Sequence, residues 1–173
     1  MTSDLTKSAL AVARSIQNSV NELTKPPSEI TPSRSEPVLP VALFKGTRGY
    51  LEKVVAQINR CYEHTCYDAC AVMIRRLVEI LIIESFEHHK IEAKIKGPTG
   101  DFLYLQDLIT ITLAETSWNL GRNAKAGLSK LKTLGDKSAH NRRYNAQRTD
   151  VDAVIVDLRT VSEELLYISG LKK

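Results

Sequence analysis

The chain has 173 residues, 43% of them hydrophobic and 25% charged, enough for one globular core and an additional segment. Its formal net charge of +4 is modest, and three cysteines confined to positions 61–70 exclude a disulfide-stapled secreted scaffold. No stretch reads as a signal peptide or a bilayer span, so a cytoplasmic protein with no membrane partner is expected.

Leu5, Ala9, Val12, Ile16, Val20 and Leu23 recur at spacings of three and four. That period predicts an amphipathic helix over 4–24, capped by Thr2 or Ser3 and stopped by Pro26 and Pro27. Residues 1–25 therefore read as a helical arm able to dock on a protein partner. Residues 26–40 carry prolines 32, 37 and 40 among serines and read as an extended linker. From 41 to 173 the helical period dominates. No segment alternates with period two, so the expected fold is all-α: an antiparallel up-and-down bundle of four to five helices.

The first bundle helix is predicted on Tyr50, Leu51, Val54, Val55, Ile58, Cys61 and Tyr62. A break at Glu63 and His64 follows, and Thr65 with Asp68 has the spacing of a capping box. The helix it opens, Tyr67–Phe86, holds the longest apolar run of the chain and should lie buried among its neighbours. Asp68, Arg75 and Glu79 share one stripe of that helix with Arg76 beside it, and buried charges need partners, so this stripe should be ion-paired or line a cleft. A third helix is expected within Asp101–Thr116. A fourth should start near Asn123 on Leu128, Leu131 and Leu134, and a last one at a Thr149/Asp152 capping box, ending at Gly170.

Cys61, His64, Cys66 and Cys70 are close in sequence, but their spacing is not that of a zinc finger or ribbon, and no metal or cofactor is expected. His88 and His89 suit the C-terminal dipole of the central helix. Phosphate-binding and nucleophile-elbow glycine motifs are missing from the sequence.

Charge is unevenly spread. Between Arg122 and Arg148 eight cations (Arg122, Lys125, Lys130, Lys132, Lys137, Arg142, Arg143 and Arg148) face the single carboxylate of Asp136. Such a segment is the electrostatic footprint of a polyanion, or else a solvated face. Within it, Asp136 and His140 are i,i+4 on a helix, so the carboxylate could fix the imidazole tautomer and make a general base or acid. Arg143 would join that face to hold a phosphate.

Arg75-Arg76-Leu77-Val78-Glu79, the run Leu131-Lys-Thr-Leu-Gly-Asp-Lys-Ser-Ala-His140 and the closing helix from Thr149 occur in the order seen in the HEPN superfamily. Residues 41–170 resemble its bacterial branch with an L-R-x-x-G-N-x-x-x-H signature; here Lys132 and Asp136 stand at the arginine and asparagine positions. The resemblance implies a commonly homodimeric helical bundle acting on RNA or nucleotides, in many members a metal-independent endoribonuclease of toxin–antitoxin or phage-defence systems. It maps the motif histidine onto His140 as general acid/base, with Asp136 beside it. Lys132, Lys137, Arg142, Arg143, Arg75 and Arg76 are the candidate phosphate ligands and Glu79 a buried polar partner. Seven residues separate Lys132 from His140, outside the catalytic spacing of that family, so a non-catalytic dimerisation, nucleotide-binding or partner-docking module is the rival reading.

Overall fold

The structure, a computed structural model, describes residues 10–19 and 36–172. The chain divides into two units, Met1–Ser33 and Arg34–Lys173. In the first, residues 10–19 are helical (α1), and Val12 and Ile16 of the predicted stripe are both exposed. The predicted cap at Thr2 or Ser3 and the stop at Pro26 and Pro27 lie outside the described residues.

The second unit is all-α: α2 (Val41–Phe44), α3 (Gly49–Glu63), α4 (Tyr67–His88), a 3-10 turn (Glu92–Ile95), α5 (Leu105–Ala114), α6 (Arg122–His140), α7 (Arg148–Asp152) and α8 (Ile155–Ile168). Among the described residues the only β pairing is an isolated bridge between Lys96 and Phe102, which closes the Gly97–Gly100 turn. No described helix is long and apolar enough to cross a membrane.

The central helix is α4. Its 22 residues pack against α3, α5, α6 and α8, and Cys70, Ala71, Ile74, Leu77, Leu81, Ile82 and Phe86 are fully buried. Each large side chain removed from water here contributes about 1.5–3 kcal/mol. The carboxylate that α4 buries is Glu84, not Glu79. Tyr50 donates its hydroxyl to Glu84 Oε1, and Arg48 Nε lies 3.4 Å from Oε2. Glu79 is only half-buried, 3.6 Å from Arg75 Nη1 across one helical turn.

Three boundaries differ from the sequence reading. Thr65 does not cap α4: it takes a left-handed backbone (φ 58°) in the turn from α3, and Cys66 occupies the cap position. Asp68 instead accepts the Ala146 N–H at 3.0 Å, fastening the loop after α6 to α4. The closing helix is two pieces, broken at Ala153–Val154, and its capping pair lies at Gln147 and Asp150, where the Gln147 N–H donates to Asp150 Oδ2 at 2.9 Å. At the far end Gly170 does terminate α8, with φ of 66° and the Leu171 N–H returning to Leu166 O.

The end of the predicted linker belongs to the core. Val38 and Leu39 are buried. Asn59 brackets Leu39, accepting its N–H at 3.0 Å and donating to its carbonyl at 2.9 Å. Arg159 donates to the carbonyls of Val38 and Pro37. Prolines argue against a helix at 36–40, but extended backbone can pack as tightly when side chains satisfy its polar groups.

Candidate functional site

Helix α6 carries four of the candidate residues, Lys132, Asp136, Lys137 and His140, and packs against both α4 and α8. Its inner face is built for close approach. A Cβ placed on Gly135 would stand 2.5 Å from Arg75 Cβ, nearer than real side-chain atoms come, so α6 meets the stem of Arg75 only because this position lacks a side chain.

That approach sets the electrostatics. Arg75 Nε donates to Asp136 Oδ1 at 2.9 Å, and Lys132, one turn before Asp136, donates to Oδ2. Asp136 thus receives a hydrogen bond on each oxygen from a cation. Burial opposes its charge, but the hydrogen bonds and charges of Lys132 and Arg75 more than compensate, so the carboxyl ionises below its ordinary range. Arg75 also reaches Glu79. Arg75, Lys132, Asp136 and Glu79 therefore form one compensated network across the α4–α6 contact.

His140 is not part of it. The expected Asp136–His140 hydrogen bond is not formed, because both carboxylate oxygens are taken by stronger cationic donors. His140 is the last residue of α6 and is exposed, and its side chain has no hydrogen bond or ion pair among the described residues. Arg142 and Arg143 follow it in an exposed turn shaped by Asn141, whose side chain accepts the Arg143 N–H at 3.0 Å. Arg76, on the outer side of α4, is exposed and has no ion pair among the described residues.

Beside this turn, α6 and α7 enclose an open groove of about 440 Å³. Lys137, Tyr144, Asp150, Thr133 and Lys130 line it. Lys137 Nζ sits 5.9 Å from the centre of the Tyr144 ring, while Lys130 pairs with Asp157 at 2.9 Å. Burial, then Asp150 and Asp68, pushes the Tyr144 phenol up to about 12, so it stays a neutral hydroxyl at physiological pH. Arg148 does not line the groove; its Nε donates to Tyr62 Oη at 3.0 Å and lies 3.4 Å from Asp152.

Sequence reasoning missed Tyr144 and Asp150. Asp150 was within reach, since Gln147 and Asp150 have the same spacing as the Thr149/Asp152 pair taken for the cap. Tyr144 gave no local signal. Among the described residues no group of three or more His, Cys, Asp or Glu is placed to hold a metal ion; Cys66 is exposed, Cys61 half-buried and Cys70 buried, and the Cys70 thiol, pushed up to about 12 chiefly by burial, lies 3.6 Å from the Ile58 carbonyl.

Comparison of the chain with protein-family models, with curated proteins and with solved structures finds no match.

Proposed function

We propose that the bundle is a HEPN-like RNA-directed module that grips phosphates along the outer side of α6 and the turn after it. One observation carries this reading. Arg122, Lys125, Lys137, Arg142 and Arg143 are all exposed and none has a carboxylate partner among the described residues. Unpaired cations concentrated on one element raise the local potential and exchange their counterions for nucleic-acid phosphates. The groove at Tyr144 adds an aromatic ring and hydroxyls next to that surface, the composition that holds single-stranded bases.

The geometry supports binding in preference to cleavage within one chain. The Asp136 carboxylate is committed to Arg75 and Lys132, so His140 has no positioned acidic neighbour. A histidine general base without an orienting partner is poorly set for proton transfer.

Titrating a labelled single-stranded RNA with the full chain at several salt concentrations tests this. Each phosphate neutralised contributes a slope of about −0.7 in log affinity against log salt. Replacing both Arg142 and Arg143 by glutamate should weaken binding and flatten that slope. Salt-insensitive binding, or a double variant that binds as the wild type does, would refute the reading. Cleavage of the RNA in chelator that His140→Ala abolishes would restore the catalytic version.

A further inference from the structure

A second recess lies at the other end of α8, away from the cationic groove. Asn119 in the turn before α6 and Glu163, Glu164, Tyr167 and Ile168 on α8 enclose about 260 Å³. Glu164 draws the turn against the helix by accepting the Gly121 N–H at 2.7 Å. Glu163 is exposed and has no cationic partner among the described residues. Tyr167 is 72% exposed, although it sits among the buried residues Leu165, Leu166 and Ile168 of the same helix.

We infer that this recess receives an arginine side chain presented by a polypeptide partner. Size is the first argument. Pockets for whole small-molecule ligands run from about 300 to 1,000 Å³, so this one suits a single long side chain. Charge is the second. Covering Glu163 with an uncharged group would desolvate an uncompensated carboxylate, so the occupant must be cationic, and a phosphate is repelled. Shape is the third. A guanidinium can lie flat on the Tyr167 ring while its fork faces a carboxylate, and its aliphatic stem matches the apolar wall at Ile168, whereas an ammonium is a compact, strongly hydrated point charge. The recess is opposite in sign to the RNA surface, whose Arg122 directly follows the Gly121 held by Glu164, so the two readings are told apart by the charge of the ligand each takes.

The probe is a fluorescein-labelled peptide of alternating arginine and glycine, titrated by anisotropy into the full-length chain beside its lysine counterpart. Saturable binding should favour the arginine peptide. It should weaken about tenfold in Glu163→Lys and in Tyr167→Ala, both exposed positions whose substitution leaves the core intact. RNA affinity should not fall in either variant. No saturable binding, equal binding of both peptides, or variants that bind the arginine peptide as the wild type does would each overturn the inference.

Discussion

The ten residues from Leu131 to His140 behave as two different pieces of protein. The inner piece, with Leu131, Lys132, Gly135 and Asp136, is locked against α4: Leu131 is fully buried, Gly135 touches the Arg75 stem, and Asp136 is saturated by two cations. The outer end, with Lys137 and His140 and the following Arg142 and Arg143, faces solvent. A continuous helical motif can therefore spend half its polar residues on packing and leave only the other half for a ligand. Conventional sequence logic treats such a motif as one unit, and here it is not.

Substitutions should separate the two pieces by their effect on stability. The largest loss is expected for Leu131→Ala, about 2–5 kcal/mol from lost burial and the cavity left behind, read as a lower urea midpoint. Gly135→Val should follow, at about 1–3 kcal/mol, because its side chain must push Arg75 aside and with it the network to Asp136. Asp136→Asn should cost about 1–2 kcal/mol at neutral pH, since two cations lose a half-buried charged acceptor. Because the folded carboxyl ionises below its ordinary value, that contribution is present above about pH 4 and disappears as pH falls through the folded value. Urea midpoints of wild type and variant should accordingly converge in acid. His140→Ala should change stability by less than about 0.5 kcal/mol; a larger loss would place His140 with the inner piece.

Thiol chemistry offers a smaller check on the same core. In the native chain Cys66 should react first with a thiol reagent, Cys61 more slowly, and Cys70 only on unfolding, since burial both hides its thiol and keeps it protonated. Rapid modification of Cys70 in the folded protein would contradict the packing of α3 on α4.

The helices were legible because burial imposes a period that survives in sequence. The apolar run of α4, the α6 stripe of Leu128, Leu131 and Leu134, and the stop at Gly170 could all be read directly. Tertiary choices between equivalent local options could not. Asp136 has Lys132 four residues before it and His140 four residues after it, and nothing in that spacing ranks them. Arg75, 61 residues away on α4, occupies Oδ1 and leaves Oδ2 to Lys132. Similarly, Thr65/Asp68 and Gln147/Asp150 both had capping spacing, and Asp68 was diverted to the Ala146 N–H by a contact 78 residues away in sequence. Val38 and Leu39 were masked by flanking prolines, and their burial depends on Asn59 and Arg159 from distant helices.

The division of the motif can be measured most directly with two double-mutant cycles sharing Asp136→Ala, read by urea unfolding at neutral pH. Paired with Arg75→Ala, the cycle should return a coupling of about 1 kcal/mol or more, the signature of residues in one ion-paired network. Paired with His140→Ala, it should return a value near zero. Strong coupling to His140 with little to Arg75 would mean that the imidazole, not the guanidinium, owns the carboxylate, and the two-piece account would fail.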